Sequence, residues 1–179
     1  MKKIMILMAA AVLGTSAMAQ TDQGTWMFGA GSNLGFTSGK IDNDQEDATT
    51  NIALDVRGGY FIIDNLAVGL DIGFGSQSEG DYSESQIGVG PYLRYYLMES
   101  KLFGQAGFQF QTASSDGDNL GSGSAIGLGA GYAAWLNDNI TIEPLVSYNM
   151  TSFKYEGADE SAKGGNFGLM INFGIYLGN

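Results

Sequence analysis

The chain contains no cysteine and no histidine. The first absence removes disulfides, thiolate metal sites and cysteine nucleophiles. The second removes the commonest general base and metal ligand. Proline occurs only at Pro91 and Pro144, so no proline-rich linker divides the 179 residues. Positive charge is scarce: 8 Lys and Arg against 19 Asp and Glu leave a net charge of −11. That balance argues against a nucleic-acid partner, because phosphate binding needs a basic face. Long apolar runs are missing too. Ile4–Leu13 is too short for a membrane helix, and no later run reaches the ~18 residues required.

That short run carries the marks of an export signal. Lys2 and Lys3 precede it, and Ala17-Met18-Ala19 follows as a small-x-small cleavage site. The expectation is a signal peptide over residues 1–19 and one domain over residues 20–179.

What the remainder does contain is alternation. Eight stretches place apolar residues on one face and small or polar residues on the other, the period of a β-strand. They run Thr25–Thr37, Asn51–Ile62, Leu66–Gly75, Gln86–Leu97, Leu102–Thr112, Ala125–Leu136, Ile140–Met150 and Asn166–Leu177. The last is the clearest, with Phe167, Leu169, Ile171, Phe173, Ile175 and Leu177 on one face. The domain allots about 20 residues to each strand and connector, ample for the about 9–11 that a membrane strand needs. Only helices and closed barrels satisfy their backbone in lipid. Period two therefore predicts an all-β fold, an eight-stranded antiparallel transmembrane β-barrel.

Short connectors fall at Asp64-Asn65, Met98–Lys101 and Asn137–Asn139. Long ones fall at Ser38–Thr50, Ser76–Ser85, Ala113–Ser124 and Thr151–Gly165. Outer-membrane barrels have short periplasmic turns and longer external loops, which puts both termini on the periplasmic side. Outward aromatics gather near the strand ends, with Trp26, Tyr60, Tyr95 and Tyr132 toward the turns and Phe36, Phe74, Phe110, Tyr148 and Phe167 toward the loops. Amphipathic rings favour such interfacial belts. Pro91 and Pro144 cannot donate to a ladder, so each predicts a bulge or a missing bond.

Inward positions alternate glycine with large fillers such as Phe61, Tyr92, Tyr96, Phe103, Gln105, Trp135 and Tyr176. An eight-stranded barrel is just wide enough to be filled by side chains, so a plugged lumen is expected. Five charges share the inward parity: Asp55, Arg57, Asp71, Arg94 and Glu143. Buried charges need partners. If Ile62 faces Leu66 across the Asp64-Asn65 turn, the same register sets Arg57 opposite Asp71. The five are read as one lumenal ion network whose role is to neutralise the core, with an ion gate as the alternative.

Catalysis is not indicated. Most barrel hydrolase sites depend on His, and a carboxylate protease site would need two facing aspartates at the rim. No such pair stands out, and no cofactor motif is present. The loops carry acid instead: Asp42, Asp44, Glu46 and Asp47, then Glu79, Asp81 and Glu84, then Asp116 and Asp118, then Glu156, Asp159 and Glu160. The run Asp42-x-Asp44-x-Glu46 lacks the glycine and final Glu of an EF-hand. Solvated loops beside lipopolysaccharide, with divalent cations between, account for it. Phe153, Lys154 and Tyr155 either continue the strands beyond the membrane or meet a partner.

The segments Gly59–Leu70, Leu93–Leu97 and Trp135–Ile140 resemble the small outer-membrane barrels of the porin family, similar to OmpA, OmpX and OmpW. The resemblance spans the mature chain and implies location in the outer membrane. The final strand, Asn172–Asn179, resembles the signal read by the barrel-assembly machinery, although it ends in Asn instead of an aromatic. The expected function is a non-enzymatic outer-membrane barrel serving envelope structure or surface interaction. A narrow porin or OmpW-like path for small solutes is the rival, and an adhesin or host-binding barrel the third reading. Oligomeric state is not legible.

Overall fold

A computed structural model describes residues 21–31, 49–79, 82–97, 101–116 and 118–178. The signal segment, the outer part of the first strand with Leu34 and Phe36, the acids Asp42, Asp44, Glu46, Asp47 and Asp81, and most of the Met98–Lys101 turn lie outside the described residues.

The strands are β1 (Trp26–Gly31), β2 (Thr49–Ile63), β3 (Leu66–Glu79), β4 (Tyr82–Tyr96), β5 (Leu102–Ser115), β6 (Asp118–Tyr132), β7 (Ala134–Trp135), β8 (Ile140–Tyr155) and β9 (Ala162–Leu177). Neighbours pair antiparallel from β1 to β6, β6 pairs β8, β8 pairs β9, and β9 returns to β1 with Trp26 opposite Leu177. The sheet is therefore closed. The two residues of β7 prolong β6 past Ala133 against the same strand, β8. Eight staves result.

The side-chain alternation is inverted relative to a soluble protein. On β9, Phe173 is 55 % exposed while its neighbour Asn172 is 1 % exposed. Leu70, Ile72, Ile87, Val89 and Leu128 likewise point out of the barrel. An apolar outer band with a polar interior is the surface that lipid requires.

Both prolines leave gaps, and neither makes a bulge. The β4–β5 ladder runs Val89↔Phe110 and resumes at Tyr92↔Gly107 in unchanged register, skipping Gly90 and Pro91. The ladder from β6 and β7 to β8 stops at Gly131↔Leu145 and resumes at Ala134↔Ile142, again in register. Pro144 lies in that interval and has no N–H to offer, which is why one stave is split into β6 and β7.

The turns follow the Asn and Asp chemistry expected of them. Asn65 adopts a left-handed φ of 67°. Asn137 Oδ1 accepts from the amides of Asn139 and Ile140, both at 2.9 Å. The pairing of Ile62 with Leu66 does not form. A bulge sets Ile63 against Leu66, although Phe61↔Ala67 and everything beyond keep the expected register.

The long connectors prove much shorter than the sequence suggests. Pairing of β3 with β4 continues to Glu79↔Tyr82, of β5 with β6 to Ser115↔Asp118, and of β8 with β9 to Phe153↔Ala162. Most of Ser76–Ser85, Ala113–Ser124 and Thr151–Gly165 is therefore strand. Apolar alternation ends where the lipid ends, whereas backbone pairing does not need it. Phe153, Lys154 and Tyr155 belong to this extension of β8.

Candidate functional site

The lumen has three levels. The lowest, beside the short turns and the chain ends, is an aromatic plug. Met27, Phe61, Tyr96, Phe103 and Tyr176 are each 2 % exposed or less, and Trp135 packs against Tyr176 with ring centres 4.6 Å apart and planes tilted by 50°. Each sits within two residues of the end of its strand, where a large inward side chain can lean across the opening. Glycines make the room: a Cβ on Gly131 would fall 2.4 Å from the Phe103 ring.

Above the plug lies an ionic layer. Arg94 Nη1 donates to Glu143 Oε2 at 2.7 Å, joining β4 to β8 across the lumen. Glu143 Oε1 accepts from Tyr176 Oη at 2.6 Å and Thr141 Oγ1 at 2.8 Å. Tyr96 and Tyr176 share a hydroxyl–hydroxyl bond, and Arg94 Nη1 donates to Tyr96 Oη at 3.2 Å. The Arg94 guanidinium rests over the Phe103 ring, 4.2 Å from its centre, where the negative face of the ring favours a cation.

The second ion pair is local. Arg57 stands opposite Asp71 in the β2–β3 register, and Nη2 reaches Oδ2 at 3.3 Å. The two pairs are linked by one amide: Gln105 Oε1 accepts from Arg57 Nη1 at 2.9 Å and from Arg94 Nη2 at 2.7 Å. Of the five inward charges, four are thus brought together. Asp55 is not among them; it makes neither ion pair found among the described residues and faces the third level.

That third level is hollow. A cavity of about 400 Å³ occupies the half of the lumen nearer the long hairpins, running from Arg57 and Asp71 up past Asn149 to Gln86. A plug throughout was expected, but the inward residues here are small. Among the described residues, nothing lies within 4 Å of where a Gly75 Cβ would stand. The described lumen is packed at the turn end and hollow at the hairpin end.

Sequence reasoning treated Gln105, Tyr96 and Tyr176 as space-fillers and passed over Thr141 and Met27. Their role depends on which staves meet across the lumen. The one available signal was the inward parity of several polar side chains beside unpaired charges.

A membrane barrel with a solvent-inverted surface has a family to match. Residues 5–174 fit the model described as outer membrane protein beta-barrel domain. The chain belongs to that family. It is an integral outer-membrane β-barrel. Neisserial surface protein A shares 15 % identity over 84 % of this chain and 94 % of its own, with a TM-score of 0.53. OprG from Pseudomonas aeruginosa shares 16 % identity over 88 % and 98 %, with a TM-score of 0.46. Ail from Yersinia pestis shares 13 % over 87 % and 100 %, with a TM-score of 0.47. At such identities the likeness concerns the fold alone. No curated protein matches the chain.

The Arg57–Asp71 contact of this outer-membrane barrel has a direct test. Arg57→Asp or Asp71→Arg alone leaves like charges facing each other in the lumen, and each should lower stability by about 3 kcal/mol. The double exchange should recover part of that loss, short of all of it because the Gln105 bond to Arg57 is not restored. Urea unfolding in lipid vesicles measures this; equal damage in all three variants refutes the pairing.

Proposed function

We infer that this barrel is non-enzymatic, that its lumen does not conduct, and that it serves envelope structure or surface interaction. The observation that carries the reading is the plug: Phe61, Tyr96, Phe103 and Tyr176 with Arg94 and Glu143 fill one end of the lumen, each at 2 % exposure or less. Catalysis is disfavoured on the same ground, since Glu143, the most buried carboxylate, has both oxygens engaged by Arg94, Tyr176 and Thr141.

The orientation that suits this reading puts the short turns and both termini in the periplasm and the long hairpins outside. Glu84, Asp116, Asp118, Glu156, Asp159 and Glu160 would then stand near lipopolysaccharide, with divalent cations bridging the two acidic surfaces. The final strand is the segment offered to the barrel-assembly machinery during insertion.

The hollow half of the lumen favours the rival reading, a narrow path for small solutes. Planar-bilayer recording of the full, refolded protein separates the two, once its heat-modifiable gel migration confirms folding. We expect silence. Steady unitary steps would overturn the sealed lumen and favour the narrow porin.

A further inference from the structure

The cup above the ionic layer has an uneven charge. Asp55 and Asp71 face it with Arg57, while Arg94 is matched by Glu143 below. One formal negative charge is left over on its floor. Asp71 is nine-tenths buried, and its Oδ1 has no hydrogen-bond partner among the described residues, because Arg57 engages only Oδ2. Asp55 Oδ1 lies 2.9 Å from the point where a Gly73 Cβ would stand, and Gln109 Nε2 lies 3.8 Å from that point. The missing side chain at Gly73 leaves these groups facing shared space. A buried acceptor without a partner is costly, so the floor is suited to a donor.

The rest of the wall narrows the donor's chemistry. Leu145, Met170 and Ala125 give the cup an apolar side, and Asn149 and Gln111 give it amides. A volume of about 400 Å³ lies within the roughly 300–1,000 Å³ of small-molecule sites and far exceeds a bare ion. Among the described residues no group of three or more metal-ligating side chains exists. The surplus charge repels anions. The wall near the long hairpins includes Gln86 and Asn166, both exposed, so the described part of the cup reaches the surface there.

We propose that the cup binds a small organic ammonium, its cationic head between Asp55 and Asp71 and its alkyl part along Leu145 and Met170. The proposal rests on the sealed lumen of the preceding reading, which makes the cup a terminus and not a passage.

The test is calorimetric titration of the full protein in nanodiscs with n-butylamine, against 1-butanol as the uncharged twin. A salt concentration of about 0.3 M brings the screening length well below 10 Å and suppresses binding to the exposed hairpin acids. The amine should bind at one saturable site and the alcohol should not. Asp55→Asn, nearly isosteric at a residue outside both ion pairs, should weaken binding by about tenfold or more, as loss of a charged hydrogen-bond partner does. Gly75→Met, which projects into open space, should occlude the cup and abolish binding while leaving heat-modifiable migration unchanged. Absence of saturable binding, equal binding of the alcohol, or an affinity untouched by both variants overturns the proposal. Failure of the sealed-lumen reading would show separately, as steady conductance of the unliganded barrel.

Discussion

Replacing Glu143 by Leu is expected to destabilise the barrel by about 3–5 kcal/mol, the usual cost of breaking a buried ion pair. Arg94 is 1 % exposed and would keep its charge with no carboxylate opposite. Thr141 and Tyr176 would lose their acceptor in the same step. Glu143→Gln should cost less, since one amide oxygen still accepts, although the charge is lost and an NH2 donor takes the place of the other oxygen. The decisive comparison is the double variant Arg94→Met with Glu143→Leu. Two apolar side chains of similar volume remove both the attraction and the desolvation penalty, and such replacements are commonly neutral or better. Urea midpoints in lipid vesicles should therefore place the double variant well above Glu143→Leu, and short of wild type because Thr141 and Tyr176 still lack their acceptor. If the single variant unfolds with wild type, the ionic layer does not hold the plug in place.

Gly90→Val should be the most damaging substitution at any glycine among the described residues. Its Cβ would stand 1.8 Å from the Phe108 carbonyl oxygen and 2.7 Å from Gln109 Cα. Both are backbone atoms of the neighbouring strand and cannot rotate away. The site lies in the ladder gap that Pro91 leaves between β4 and β5, so close approach there depends on the absence of a side chain. Overpacking typically costs about 1–3 kcal/mol, more where the backbone must shift, and loss of the heat-modifiable form is the expected result. Gly104→Ala is the control. Among the described residues nothing lies within 4 Å of its Cβ position, and its stability should stay within about 0.5 kcal/mol of wild type. Equal effects of the two substitutions would mean that β4 and β5 do not approach as described.

Much of this architecture is local and was legible. Side-chain direction alternates with every residue of a strand, so Phe173 outward and Asn172 inward follow from their positions alone. The Arg57–Asp71 register followed from keeping apolar residues outward on both sides of one short turn, even though the turn itself absorbed a bulge at Ile62. The prolines announced their ladder gaps because the missing N–H is a property of the residue. The hairpin extensions were less legible. Ser76, Gln77 and Ser78 pair with Ser85, Glu84 and Ser83, and nothing in an all-polar run separates strand from loop.

The sequence by itself determined that the chain is a membrane barrel, which residues face lipid, and which charges must be housed in the lumen. Only the closed structure decided how those charges are housed. Arg94 and Glu143 sit on β4 and β8, with the two staves β5 and β6 between them, and their meeting depends on the tilt and stagger with which the sheet closes. The same closure chose Gln105 as the bridge, left Asp55 outside both ion pairs, and divided the lumen into a plugged half and a hollow one. Parity is set within a strand by covalent geometry, whereas contact across a barrel is set by all eight staves together.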